Sequence, residues 1–436
     1  MNEQQEKRDI RRKRRIKSQV IAYIVTTFFL LALATGIVFG VRFLTQRKEE
    51  EEQERQNKIE EMLSTAEPSV TAEPVPETTP EVILPTQEEK LDEIVDAVVE
   101  MMTLEEKVAG LFVVTPESIT GVNTAVRAED GTRDALAKYA VGGIVYFQKN
   151  MQSQEQLTEM LKNTAEFSRY PIFLAVDDEG GRVSRVAAAG IGESADSAQN
   201  IGATGNTDNA YQAGVKIGQT LSELGFNLDF APVADIANVE NSTMGDRAYG
   251  ADAATVSGFV TAMMSGLEEQ KVTACLKHFP GIGSSVQDTH DGSASTTRTE
   301  EEFRAEEFAV FQAGIDAGAK MVMVSHMAAP SLTGDNNPSI FSEKLITEIL
   351  REEMGFEGVV ITDALNMKAI SEYYGADEAA IMALKAGCDM LLMPEDFEKA
   401  YNGVLQAVRE GVISEERIND SLRRVYRIKY ADRVEE

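Results

Sequence analysis

KMVMVSHMAAPSLTGDNNPSIFSEKLITEILREEMGFEGVVITDAL (320–365) decides how this chain folds. It opens on an apolar run, KMVMVSHM (320–327), and closes on another, GVVITDAL (358–365). Neither run alternates polar with apolar residues, so neither suits a strand with one wet face. The stretch 342–354 between them is amphipathic and long enough for a helix. A strand, a helix and a second strand, with both strands buried on both faces, make a parallel unit. Each run also ends in polar residues, Ser325-His326 in the first and Thr362-Asp363 in the second.

The same unit recurs in kind, though not in sequence. Further apolar runs are GLFVVT (110–115), GGIVYF (142–147), PIFLAV (171–176), FNLDFAPV (226–233), VTACLKHF (272–279) and DMLLMP (389–394). Helical candidates separate them, among them 153–168, 208–224, 252–270, 300–317, 376–386 and 396–410. Eight such strands predict a closed (β/α)8 TIM-type barrel over 88–432. A doubly wound open sheet is the alternative. A nucleotide-binding version of it lacks a glycine-rich loop opening the first helix.

Charge divides the rest of the 436 residues. The net charge is −30, from 72 acidic and 42 basic side chains. Residues 1–48 carry 11 basic and 3 acidic side chains, whereas 49–90 carry 3 basic and 13 acidic. The acidic balance disfavours nucleic acid, whose phosphates it would repel. Hydrophobic residues make up 43%, which excludes global disorder. Two cysteines, Cys275 and Cys388, exclude a disulfide scaffold or a Cys-rich metal site, and both read as core residues.

Ser18 to Val41 is uncharged over 24 residues and follows eight basic residues between Lys7 and Lys17. About 20 apolar residues span a bilayer core, and Lys/Arg clusters stay on the cytoplasmic side. The expectation is a cytoplasmic tail (1–17) and a transmembrane signal anchor (18–44), with the body outside the cytoplasm. A cleaved signal peptide competes, since Ala32-Leu33-Ala34 has the form of a cleavage site. Residues 45–87, with Pro68, Pro74, Pro76, Pro80 and Pro85, read as an extended acidic stalk.

In a parallel barrel, reactive groups gather at the C-terminal ends of the strands. Here those ends carry Asp177-Asp178-Glu179, Asp235, Lys277-His278, His326 and Asp363. The chain has 3 histidines, and the third, His290, follows the fifth run by a short loop. Asp363 directly follows Val359-Val360-Ile361. It is placed to act as nucleophile, base or metal ligand, or to cap the next helix. Asp288 stands two residues before His290, close enough to orient the imidazole and raise its pKa for acid/base work. The pair could also ligate a metal, but no HExxH or clustered ligand spacing accompanies it. Arg185 and Arg247 sit in glycine-containing segments, where a guanidinium fork can clamp a ligand oxygen.

Taken together, these motifs resemble glycoside hydrolase family 3, in its β-N-acetylhexosaminidase branch. KHFPGIGSSVQDTH (277–290) resembles that family's KHFPGHG…D-S/T-H segment, and VDDEGGRVSR (176–185) its VDQEGGRVxR segment. NLDFAPVADI (227–236), GDRAYG (245–250) and VITDALNM (360–367) match in order, and the resemblance covers about 90–430. It implies a retaining exo-β-N-acetylglucosaminidase. Asp363 matches the nucleophile, His290 the general acid/base and Asp288 its partner. Asp177, Arg185, Arg247, Lys277 and His278 match residues that hold the sugar. Two carboxyl groups are usual in a retaining glycosidase, and a His–Asp dyad would replace one here. No metal or cofactor is implied. The expected partners are a carbohydrate, drawn from β-N-acetylglucosaminides and muropeptides, and the cell membrane through the N-terminal helix. A β-N-acetylglucosaminide phosphorylase, a β-glucosidase and a non-catalytic wall-binding protein are the alternatives. Ile282 and Asp178 depart from the family's His and Gln, which bears on substrate preference.

Overall fold

The computed structural model describes residues 86–434 except Asn241, Asp288, His290 and Asp291, together with isolated positions between Lys17 and Glu61. The chain divides into two units, Met1–Glu77 and Thr78–Glu436. In the first, the described positions from Arg47 to Glu61 are helical. The apolar run within 18–44 lies outside the described residues, as does most of the stalk. Among the described residues no helix is long and apolar enough to cross a membrane.

The second unit begins with two helices, α1 (Gln87–Met101) and α2 (Leu104–Ala109). Thr86 and Thr103 cap them, each paired with a Glu three residues on that bonds back to the cap. Eight strands follow: β1 (Phe112–Val114), β2 (Gly143–Val145), β3 (Phe173–Val176), β4 (Leu228–Asp229), β5 (Thr273–Phe279), β6 (Met321–Val324), β7 (Val359–Thr362) and β8 (Leu391–Leu392). The crossovers carry helices α3 (Asp130–Lys138), α4 (Gln154–Phe167), α5 (Asp208–Leu224), α6 (Ala253–Glu269), α7 (Glu307–Asp316), α8 (Ala376–Ala386) and α9 (Phe397–Arg409). The β6–β7 crossover is a π-wound helix, Lys344–Glu353, and α10 (Glu415–Val434) ends the described fold.

Neighbouring strands pair in parallel in the order β8-β1-β2-β3-β4-β5-β6-β7. Phe112 pairs with Leu391, which joins the first strand to the last. β7 and β8 meet through one bridge, Ile361 with Met390, so the sheet is a nearly closed barrel. At that seam Asp389 lies buried, and its Oδ2 accepts the Val360 N–H at 2.9 Å. Arg351 of the π-wound helix, with Ser421 (2.8 Å) and Arg424 (3.1 Å) of α10, surrounds the same carboxylate.

Alternate strand residues, such as Met321 and Met323 or Val359 and Ile361, fill the barrel. Val425 of α10 joins that core, and Lys429 Nζ donates to the Gly142 carbonyl just before β2, so α10 packs at the N-terminal ends of the strands. On the outside, α5 buries Ala210, Ala213, Gly214, Ile217, Gly218, Leu221 and Leu224, the stripe a 3.6-residue period predicts. A Cβ on Gly214 would stand 2.3 Å from the Met263 carbonyl, and one on Gly266 2.4 Å from that of Tyr211. These two glycines let the backbones of α5 and α6 nearly touch.

The structure corrects three details of the sequence reading. The run 226–233 supplies a regular strand only at Leu228–Asp229, followed by an isolated bridge from Val233 to Lys277. Pro232 lies between the two, and proline has no N–H to give a sheet. The stretch 300–317 is two helices, Glu300–Ala305 and α7, broken at Glu306. There the Glu306 carboxylate turns away to accept the Ala253 N–H at 2.9 Å. The helix expected at 342–354 is present but π-wound. Cys275 and Cys388 are buried and free, as expected of core residues.

Candidate active site

The C-terminal ends of the strands open on a cavity of about 600 Å³. Asp177, Arg185, Arg247, Lys277, His278 and Asp363 all line it. Six residues separated by as many as 186 positions in sequence therefore meet at one rim. Asp288 and His290 lie outside the described residues; their neighbours Gln287 and Thr289 line the same cavity.

β3 ends at Val176, and the chain folds into a two-stranded antiparallel ribbon, Asp178–Gly180 against Val183–Ser184. Gly180 and Gly181 turn it with φ of 86° and 56°, values that favour glycine. In extended chain, side chains alternate. Asp177 and Glu179 accordingly line the cavity, while Asp178 is buried behind it. The Asp178 N–H donates to Asp229 Oδ1 of β4 at 2.9 Å, and Asp178 Oδ2 accepts the Val186 N–H at 3.1 Å. Burial, aided by the neighbouring carboxylates, pushes Asp178 up to about 6. Burial and the charge of Asp178 likewise raise Asp229 well above the usual range.

Glu179 organises the cations of the site. Its carboxylate accepts two bonds from Arg247, from Nε and from Nη2, each at 2.7 Å. It also lies 2.7 Å from Lys277 Nζ, which donates at 2.8 Å to Asp177. Burial alone would raise Glu179, but Lys277 and Arg247 hold it at about 2. Lys277 is buried, which disfavours its charge, yet Asp177 and Glu179 keep it above its ordinary value. Arg247 is thus at the site but gripped by Glu179, so its first partner is protein. Arg185 faces the cavity near the Phe147 ring, and its buried Nε has no hydrogen-bond partner.

Lys277 and His278 come from the end of β5. The His278 Nδ1 sits 2.7 Å from Asp235 Oδ2. Because a carboxylate accepts, Nδ1 carries the proton and Nε2 is left for the cavity. The other Asp235 oxygen accepts the Ile282 N–H at 2.6 Å, which ties the next loop to the same residue. His326, at the end of β6, donates from Nε2 to the Ala364 carbonyl at 2.8 Å. Asp363 follows β7, and its Oδ1 accepts the Ala364 N–H at 2.7 Å. Burial opposes its charge, but His326, His278, the Ala364 amide and Lys277 outweigh burial and hold it below the ordinary carboxylate range. An ionised carboxylate in a cationic pocket is a competent nucleophile.

Sequence reasoning placed Glu179 at a strand end but gave it no role, and it missed the Asp178–Asp229 contact. The alternation of an extended segment could have placed Glu179 beside Asp177. Nothing local could have shown that it binds Arg247, 68 residues away.

An eight-stranded parallel barrel with an ionised aspartate and a lattice of cations at its mouth defines a barrel enzyme. The comparisons make the class definite. Residues 103–428 match the family model described as the glycosyl hydrolase family 3 N terminal domain. A Beta-hexosaminidase of Stenotrophomonas maltophilia (strain R551-3) is 36% identical over 280 residues, covering 62% of this chain and 82% of that protein. The structure of a glycoside hydrolase family 3 beta-N-acetylglucosaminidase from Paenibacillus sp. str. FPU-7 is similar with a TM-score of 0.71 and 33% identity. That likeness covers 77% of this chain and 64% of that one. The Beta-N-acetylhexosaminidase of Beutenbergia cavernae DSM 12333 is similar with a TM-score of 0.68 and 27% identity, covering 75% of this chain and 98% of that one. The chain belongs to glycoside hydrolase family 3 and is a glycosidase.

Proposed function

We propose that this protein is a retaining exo-β-N-acetylglucosaminidase that removes terminal β-linked N-acetylglucosamine, with peptidoglycan fragments as its source. The observation that carries the reading is Asp363, held ionised on the rim among His278, His326 and Lys277. Similarity to β-hexosaminidases supports the choice of sugar.

In the proposed mechanism the Asp363 carboxylate attacks the anomeric carbon, and the glycosidic oxygen leaves with a proton from His290. Asp288 stabilises the imidazolium. The neutral His290 then takes a proton from water as its oxygen attacks the glycosyl–Asp363 ester, which restores both groups. Lys277, with its charge shared between Asp177 and Glu179, the Arg185 guanidinium and His278 Nε2 offer donors and acceptors to sugar hydroxyls. The apolar run 18–44 anchors the enzyme in the cell membrane with its barrel outside, where wall fragments are met.

The test is turnover of a chromogenic β-N-acetylglucosaminide by the full chain, beside the matching glucoside, with and without phosphate. Free N-acetylglucosamine and little glucoside turnover are expected. A sugar 1-phosphate, formed only with phosphate present, would replace hydrolysis by phosphorolysis. Preference for the glucoside would overturn the sugar assignment. His290→Ala should slow substrates with poor leaving groups far more than activated aryl ones, because only the former need the proton.

A further inference from the structure

Asp178 lies behind the rim and holds three parts of it in place. Along the chain it separates Asp177 from Glu179, the two carboxylates that Lys277 bridges at 2.8 and 2.7 Å. Its Oδ2 accepts the Val186 N–H at 3.1 Å, which fixes the turn that carries Arg185. Its own N–H donates to Asp229 Oδ1 at 2.9 Å, so β4 backs the ribbon. Asp177, Lys277 and Arg185, all assigned above to the sugar, therefore depend on where one buried residue sits.

The hydrogen bonding beneath the ribbon is incomplete. Asp178 is 4% exposed and Asp229 0%. Asp229 Oδ2 is buried and has no hydrogen-bond partner. An ionised carboxylate in that position is costly, whereas a neutral carboxyl has an O–H to give. The acceptor on hand is the carboxyl of Asp178, and burial raises both groups.

The charges around the pair are already engaged. Lys277 of β5 is held by Asp177 and Glu179, and Arg247 by Glu179. Arg182, at the ribbon's turn, pairs with Asp246 at 2.9 Å. α5 packs against the ribbon, and its Lys216 pairs with Glu193 at 3.0 Å. Asp196, whose backbone lies against Gly180, turns its carboxylate to the Ser197 amide and to Asn200. Asp177 and Glu179 add repulsion to Asp178.

We infer that Asp178 and Asp229 share one proton, and that this proton positions the ribbon and so ties sugar binding to pH. Asp178 is a positioning residue and touches no substrate. The inference rests on the proposed glycosidase reaction, because it takes the first cavity as the place of the terminal sugar. The family segment resembled here has Gln where this chain has Asp178. A glutamine amide can donate at any pH, but a carboxyl can donate only while protonated. The pair titrates as a unit. As pH rises the proton leaves, two like charges face each other between β3 and β4, and the grip on the sugar weakens.

The test measures competitive inhibition by N-acetylglucosamine of aryl N-acetylglucosaminide turnover, for wild type and Asp178→Gln as full chains. The range runs from about pH 5 to about pH 9. Wild type should bind the sugar about tenfold more weakly at the alkaline end, while Asp178→Gln stays within about twofold throughout. Any contribution of His290 is common to both proteins and cancels in the comparison. Parallel profiles in the two proteins overturn the inference. If wild type neither binds nor turns over any N-acetylglucosaminide, the proposed reaction fails instead, and infrared spectroscopy at neutral pH decides. A neutral-carboxyl band in wild type that is missing from Asp178→Gln supports the shared proton. Equal bands in both, or none in wild type, overturn it. Glu307, pushed up to about 7 by burial, would contribute equally to both spectra.

Discussion

Asp363, Glu179 and Asp178 carry three different kinds of carboxyl within one rim. Asp363 is the proposed nucleophile, and Asp363→Asn should lower kcat by a factor on the order of 10⁴ or more while leaving thermal stability nearly unchanged. Steady-state rates and a melting curve check both halves. Glu179 acts differently, since it touches Lys277 and Arg247 rather than an open donor. Glu179→Gln keeps the shape but leaves two buried cations underpaired, so both activity and stability should fall, the latter by about 3–5 kcal/mol. Denaturant titration beside kcat/KM separates it from Asp363. Asp178 is buried with its folded pKa raised to about 6. A raised carboxyl favours the fold while protonated in both states, and that contribution is lost as pH rises from the usual carboxylate range through about 6. Asp178→Asn should therefore match wild-type stability near pH 3.5 and exceed it at pH 8, by up to about 3 kcal/mol. A constant difference across that range would refute the assignment.

At the scale of elements, the barrel's seam is its most exacting contact. β7 and β8 share one bridge, and the buried Asp389 adds to its backbone bonds by holding Val360, Arg351, Ser421 and Arg424. Asp389→Ala strands the half-buried arginines and should cost about 3–5 kcal/mol, read as a lower urea midpoint. The elements themselves were legible from sequence to a useful degree. α4, α6 and α9 fall within a residue or so of the amphipathic stretches, because a helix signals its buried stripe locally. Strands were less so. The run 226–233 reads as a full strand, yet regular pairing is confined to Leu228–Asp229, with one further bridge from Val233 to Lys277, since Pro232 between them has no N–H to give. The π-winding of Lys344–Glu353 and the break at Glu306 had no local signal. The carboxylate of Glu306 is drawn out to the N-terminal end of α6, a distant partner.

The molecule as a whole divides along its charge. The basic start, the apolar run and the acidic stalk precede a barrel that matches its family from residue 103 onward. If the apolar run is the anchor proposed here, the full chain should partition with detergent and a chain beginning at Thr86 should stay in the aqueous phase. Phase separation in a non-ionic detergent reads this directly, and equal partition of both chains would remove the anchor.

Sequence alone determined that the body is a parallel α/β fold of eight strands, and the structure decided that they close nearly into a barrel rather than an open sheet. Alternating buried strands and amphipathic helices have few other ways to hide their apolar faces. It also determined which residues end up on the rim, because chain order places strand ends on one face, and Asp177, Arg185, Arg247, Lys277, His278 and Asp363 all stand there. Only the tertiary structure decided what those residues do to one another. That Glu179 takes Arg247 and Lys277, that Asp235 orients His278, and that Asp178 meets Asp229 depend on distances between strands far apart in sequence. Electrostatic partnership and cavity shape are properties of position in space, and hydrophobic periodicity carries no record of them.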